Sequence, residues 1–347
     1  RRGKETDLPE DDALSDLEDV ETRLTERLDE SRYRDDILRL LFTCCHPELP
    51  ATQQIALALR LVCGLSVKQI ARAFLVSEAA MEQRITRGKR RVAEAHLGFE
   101  TPGSAQRAER LAAVATAIYL TFNEGYAATG GEVPLRGPLC EEAIRLARLL
   151  LRLFADEPSI MGLLALMLLQ HARAAARLDD GGNIVLLEDQ DRRLWNGEMI
   201  AEGLALLDKA MRHRRPDPYQ VQAAIAALHA RAARPAETDW AQIERLYATL
   251  ERLQPSPVIT LNRAVAISKI RGPAEALATV DPLGPQLDAY FYFHGMRGAL
   301  LLQLGRAAEA RSAFDRAIAL ANTTAEAAHI RMQIDRLMKD AAPAANS

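Results

Sequence analysis

From Arg107 to about residue 340, apolar residues recur at helical spacing, and Gly and Pro interrupt the pattern at short intervals. The interruptions fall at Gly125–Pro138, Asp156–Pro158, Asp179–Asn183, Arg214–Pro218, Gln254–Pro257, Gly272–Pro273 and Pro282–Pro285. No apolar–polar alternation persists long enough to read as a strand. Such a chain buries its apolar stripes by packing helix on helix, so the expected fold class is all-α. Composition agrees: hydrophobic residues make up 48% but aromatics only 5%, and Ala, Leu and Arg abound, which favours helices over strands. A length of 347 residues implies two or three domains.

The net charge of -3 hides a segregation. Residues 1–30 hold 12 acids against 5 bases and read as an acidic linker that becomes helical near its end. Residues 51–97 hold 8 bases against 3 acids. A basic segment inside an acidic protein points to nucleic acid more strongly than the overall balance does. Cys44, Cys45, Cys63 and Cys140 lack the spacing of a disulfide framework or metal site, so buried, reduced thiols are expected, with no metal or cofactor. No signal-peptide pattern is seen, and the apolar run Ile160–Leu169 is read as a buried core helix too short to span a bilayer. These features together imply a cytoplasmic protein without a membrane partner. The chain opens on Arg1-Arg2-Gly3 without an initiator Met, so the natural protein is expected to start upstream.

Within residues 31–97 the periodicity predicts four helices, at Ser31–Cys45, Ala51–Cys63, Ser66–Phe74 and Ser77–Ala95, followed by a linker at Gly98–Gly103. The last two helices, joined by a three-residue turn, have the form of a helix-turn-helix. Ser66 with Gln69 fits a capping box, with Leu65 and Ile70 as its hydrophobic staple. Ser77 fits the cap of the second helix, with Val76 and Met81 as staple, and small Ala71 sits where the helices approach. On a helical wheel Met81, Ile85, Gly88 and Val92 share the inward face. Opposite them lie Ala79, Gln83, Thr86, Arg87 and Arg90, the face that would enter a major groove. Gln83 suits adenine, Arg87 guanine and Thr86 a base methyl. Arg84, Lys89 and Arg91 on the flanks suit phosphates. The full expected DNA-binding set is Ser66, Lys68, Ser77, Glu78, Ala79, Glu82, Gln83, Arg84, Thr86, Arg87, Lys89, Arg90 and Arg91. A solvated amphipathic helix would explain the bases alone, but not the two caps, the turn and Ala71 together.

Leu65 to Val92 resembles region 4 of extracytoplasmic-function sigma factors. The resemblance implies binding to the −35 promoter element and to the core RNA polymerase. Leu75 stands where many members have Gly in the turn, and Glu82-Gln83-Arg84 replaces a commoner Lys-Ser-Arg. An acid on the recognition helix would narrow base choice by accepting from a cytosine amine. Leu41-Phe42-Thr43-Cys44-Cys45-His46-Pro47, Phe122-Asn123-Glu124-Gly125-Tyr126 and Leu186-Leu187-Glu188-Asp189-Gln190-Asp191-Arg192 are similar to a subgroup with a long, tetratricopeptide-like C-terminal extension. In that subgroup the extension is the suspected regulator, in place of a separate anti-sigma protein. Family members also carry an N-terminal region 2 that melts the promoter. Nothing before Tyr33 resembles it, so this chain is not expected to open a promoter by itself. The acidic stretch at 5–21 is similar to the linker between the two regions; its charge either mimics nucleic acid in the polymerase channels or merely solvates it.

The expected organisation is an acidic linker (1–30), a region 4-like domain (31–97), a helical connecting domain (107–200), tetratricopeptide-like repeats (201–340) and a disordered tail (341–347). The repeat reading rests on Glu275-Ala276 and Glu309-Ala310, 34 residues apart, and on Leu304-Gly305-Arg306 followed by Ala307, Ala310, Phe314, Ala317 and Leu320. A generic Ala-rich bundle is its alternative. No P-loop, GxSxG, HExxH or dinucleotide fingerprint occurs, so an enzyme is not expected. The polar clusters Asn123–Tyr126 and Glu188–Arg192 are read as structural, with Arg192 or Arg193 pairing with a carboxylate elsewhere in the extension. The extension either inhibits, by packing on residues 31–97, or is a positive contact. A stand-alone, ligand-sensing helix-turn-helix regulator and an interaction scaffold are the other function classes consistent with the sequence.

Overall fold

The computed structural model describes residues 40, 43–46, 49–62, 64–73, 76–94, 104–126, 137–179, 181–321, 327, 328, 330, 331 and 334. The acidic 1–30 segment, most of the helix expected at 31–45, Cys63, Leu75, the 98–103 linker and the 341–347 tail lie outside them. Among the described residues the regular structure is helical, and the one β feature is an isolated antiparallel bridge between Leu178 and Ile184. The protein is all-α, a helix-turn-helix domain followed by a larger helical domain. The chain divides into two compact units, residues 1–70 with 78–117 and residues 71–77 with 118–347.

The first unit contains α1 (Ala51–Leu61), most of α2 (Val67–Ala73), α3 (Glu78–Glu94) and the start of α4 (Ser104–Tyr126). The turn before α1 is tied down by Gln54, whose Nε2 donates to the carbonyls of His46 and Leu49, both at 2.9 Å. α1 ends where Gly64 takes a left-handed φ of 67°, a conformation that costs glycine little, and the Leu65 amide donates back to Leu59 at 3.0 Å. α3 lies against α1 through Gly88, beside the Leu57 side chain.

The second unit begins with α5 (Gly137–Leu153) and α6 (Pro158–His171). Every residue of α6 from Ile160 to Leu169 is buried. A helix apolar on all sides must be enclosed, and α5, α7 (Gly197–Arg212) and α8 (Pro218–Arg231) pack around it. Glycines permit the closest approaches. A Cβ on Gly203 would stand 2.9 Å from Leu169 Cγ, and one on Gly162 2.9 Å from the Gln220 backbone nitrogen. Counted with the turn that follows, Pro158–Ala176 reaches 19 residues and is long and apolar enough to cross a membrane, which corrects the shorter length read from Ile160–Leu169. With 67% of its apolar window buried inside the protein, it is a core helix.

Helical hairpins complete the unit: α8 with α9 (Trp240–Leu253), α10 (Pro257–Arg271) with α11 (Pro273–Val280), and, after the one-turn α12 (Gly284–Leu287), α13 (Phe291–Gln303) with α14 (Ala307–Leu320). The α10 and α13 starts are 34 residues apart, as are those of α11 and α14. Small residues line the contacts. Ala264, Ala276, Ala310, Ala313 and Ala317 are buried, and a Cβ on Gly298 would stand 2.8 Å from the Phe314 ring. Asp217, Asp239 and Asn196 cap α8, α9 and α7 by accepting from backbone amides of the first turn.

Six of the seven expected interruptions separate helices in the structure, whereas Pro282–Pro285 is itself helical, in a 3-10 turn and the one-turn α12. Two more were missed, at 232–239 and 288–290. Pro235 and the capping Asp239 carried the signal for the first. The break at Asp179–Asn183 is the centre of a longer irregular segment, 172–196, held by short 3-10 turns and by Asp179, whose Oδ1 accepts from the Gly181 and Asn183 amides.

Candidate nucleic-acid interface

Two reciprocal hydrogen bonds start α2. The Ser66 amide donates to Gln69 Oε1 at 2.9 Å, and the Gln69 amide donates to Ser66 Oγ at 3.3 Å. This is the capping box expected from the sequence, and it satisfies two backbone donors that a helix start leaves open. Leu65, Ile70 and Ala71 beside it are buried. The Val76 amide then donates to the Ala71 carbonyl at 3.0 Å, closing the turn before α3.

α3 is strongly two-sided. Met81, Ile85 and Gly88 are buried and Val92 half-buried, so one stripe anchors the helix. Ala79, Gln83, Thr86, Arg87 and Arg90 are exposed on the other side. From Gln83 to Arg90 the helix rises about 10 Å, roughly three base-pair steps. Arg87 Nη2 donates to Gln83 Oε1 at 3.2 Å, one turn apart, which orients both heads on the open face. Arg90 pairs loosely with Glu94 at 3.4 Å, both side chains well exposed. Of the remaining expected DNA-binding residues, Ser66, Lys68, Ser77, Glu78, Glu82, Lys89 and Arg91 are exposed and Arg84 is half-buried. Ser66 Oγ is engaged in the cap, so its hydroxyl serves α2 first. Leu75, the departure in the turn, lies outside the described residues.

In the second unit the two polar clusters are built around arginines. Tyr126 stacks on Phe122 at 5.5 Å and receives Arg173 Nη2 on its hydroxyl at 2.8 Å. The Arg177 guanidinium lies 3.6 Å over the Tyr126 ring and donates to its carbonyl. Gly125 has backbone and thiol of Cys140 at 2.9 Å from any Cβ it would carry, so this corner admits only glycine. Burial pushes the Cys140 thiol up to about 12, which leaves it inert. Cys44, Cys45 and Cys140 are buried and in no disulfide.

The expectation for Arg192 and Arg193 needs correction. Arg192 Nη1 donates to two backbone carbonyls, His229 and Ala232, both at 2.6 Å, and its guanidinium lies 4.5 Å from the Trp195 ring. Its anchor is carbonyl and aromatic, not a carboxylate. Arg193 does meet a carboxylate, but the adjacent Asp191 at 2.7 Å, and it is largely exposed. Ion pairs between elements include Arg263 with Glu244 and Glu251, which the sequence did not single out, and Lys269 with Glu188, the first residue of the second polar cluster. Among the described residues no group of His, Cys, Asp and Glu is arranged to hold a metal.

Residues 39–92, which contain α1 to α3 up to Val92, match the family described as Sigma-70, region 4. Residues 110–211 match a second family, described as a family of unknown function, DUF6596. No solved structure matches the chain. The chain is 68% identical over 345 residues to "Uncharacterized protein R00370" of Rhizobium meliloti (strain 1021), a match spanning 99% of this chain and 82% of the relative. With the capping box, the turn and the two-sided α3 in place, the chain belongs to the family of that relative and is a sigma-factor-like protein whose DNA-binding helix-turn-helix is a sigma-70 region 4 domain.

Proposed function

We propose that the protein is a sigma factor of the extracytoplasmic-function type, acting in the cytoplasm, in which α3 docks in the major groove at the −35 promoter element within the polymerase holoenzyme. The observation that carries this reading is the exposed Gln83–Thr86–Arg87–Arg90 stripe opposite the buried Met81–Ile85–Gly88 stripe. A helix held on one side by apolar burial presents the other side in fixed register, which direct base readout requires. Gln83 and Arg87 supply bidentate donors and acceptors, Thr86 an apolar contact, and Lys68, Arg84, Lys89, Arg90 and Arg91 phosphate contacts. Within this reading residues 31–97 form the region 4 domain and the acidic segment before them the inter-region linker.

The 34-residue offset between the α10/α11 and α13/α14 hairpins supports a tetratricopeptide-like reading of residues 201–340. In this reading the extension regulates the sigma activity, and deleting residues 107–347 from the full-length protein sets the sign. Raised promoter output means inhibition, lost output a required contact, and unchanged output removes the regulatory role.

The test of DNA reading is selection from a pool of random duplexes at two salt concentrations. One short motif should be enriched, and Gln83→Ala with Arg87→Ala should abolish the enrichment. Binding that collapses with salt and yields no motif would leave only phosphate contacts and overturn the reading.

A further inference from the structure

The second unit contains a cavity of about 600 Å³ whose walls come from the irregular segment before α7, the end of α8 and parts of α9, α10 and α13. Its size lies within the range of small-molecule sites, about 300–1,000 Å³. Ile243, Val265, Met296 and Leu300 give it an apolar wall. Tyr247, Asn262 and Gln303 add neutral polar groups, and burial pushes the Tyr247 phenol up to about 12, so it stays protonated.

Charge decides what such a space would accept. Arg192 lines the cavity, and all its hydrogen bonds leave from Nη1 toward carbonyl oxygens. Its Nε is enclosed without a partner. Among the described residues no carboxylate pairs with it. Glu237, which acts on Arg192 through space, is held by Arg234. His229 shares the wall and adds no compensating charge: burial, then Arg173 and Arg192, lower its pKa to about 4, so it is neutral at pH 7. Lys269, also lining the cavity, is matched by Glu188 at 3.1 Å. The lining therefore carries one uncompensated positive charge beside an apolar wall. A half-buried guanidinium that meets two carbonyls and the Trp195 ring, but no carboxylate, gains most from a desolvated anion, through charge-assisted hydrogen bonds.

We propose that this cavity is a binding site for a small organic monoanion with an apolar body, its acidic head at Arg192 and its body against Ile243, Val265 and Leu300. A neutral ligand of the same shape leaves the Arg192 charge unmet, and a cation is repelled by it.

The experiment compares two fluorescent probes of the same ring system on the whole chain: anionic anilinonaphthalene sulfonate and neutral phenylnaphthylamine. The sulfonate should bind saturably at one site, at least about tenfold more tightly than the neutral probe. Arg192→Gln should remove that preference. Because Arg192 also anchors two carbonyls, Val265→Trp is the second variant: Val265 is 37% exposed, so added bulk fills the cavity without entering the core. It should weaken sulfonate binding by at least about tenfold while the thermal transition is kept. Equal affinity for the two probes, no saturable binding, or a Val265→Trp protein that binds as before would each overturn the proposal.

Discussion

Gly88 of α3 faces Leu57 of α1 so closely that a Cβ on the glycine would stand 3.0 Å from the leucine Cδ1 and 3.2 Å from its Cγ. This contact holds the helix with the exposed Gln83–Arg87 pair against its support. Two effects oppose each other at a helical glycine. Alanine gains about 1 kcal/mol of helix propensity, while overpacking costs about 1–3 kcal/mol. Gly88→Ala should therefore be close to neutral, because Leu57 has only a few tenths of an ångström to yield. Gly88→Val adds branched bulk and should destabilise the unit by about 1–3 kcal/mol. Denaturant unfolding of the two variants checks the order, and a Gly88→Val protein as stable as its parent would contradict the packing.

Gln83 and Arg87 should behave differently from Arg90 in DNA binding. Alanine at either of the first two should cost about 1–3 kcal/mol on the preferred duplex and relax the choice of one or two bases. Alanine at Arg90 should weaken all sequences alike and lower the salt slope by about 1. Titrations on matched and scrambled duplexes at several salt concentrations separate the two patterns.

The Ser66–Gln69 box predicts a local stability effect. Ser66→Ala should cost about 0.5–2 kcal/mol. Gln69→Ala should cost less, and the double variant should fall short of the sum, because each residue's bond supports the other's. Thermal denaturation of the three proteins measures the coupling; strict additivity would mean the two bonds act independently.

Arg263 joins α10 to α9 by bonding Glu244 at 2.6 Å and Glu251 at 2.7 Å. The hydrogen bond from Arg263, assisted by the nearby Arg271, holds the Glu244 carboxyl below the ordinary 4.5. A carboxylate with a lowered folded pKa stabilises fully above its unfolded value, and the contribution is lost as pH falls through the lowered one. Stability should thus drop as the medium is acidified below about pH 4.5. Glu244→Gln should shallow that drop and cost about 1 kcal/mol at neutral pH, as for a partly exposed pair. Unfolding curves of parent and variant across the acidic range test it.

The sequence by itself determined the helical class, the cap of α2 and the two faces of α3. The Ser66–Gln69 box, the stop at Gly64 and the Met81–Ile85–Gly88 stripe are set by residues three to six positions apart, a range over which backbone hydrogen bonds and helical periodicity act. What only tertiary structure decided is the company of the polar residues between helices. Arg192 was marked as a structural arginine, but its partners are carbonyls 37 and 40 residues away, where α8 happens to end. A backbone carbonyl has no signature in a side-chain pattern. The same holds for Arg173 and Arg177 converging on Tyr126, and for the space beside Arg192, whose walls come from several elements. Local rules fix which face of a helix is apolar. Which polar groups then meet depends on how close the helices come, and that is set by the glycines and alanines at their crossings: Gly162 under Gln220, Gly203 against Leu169 and Gly298 beneath Phe314.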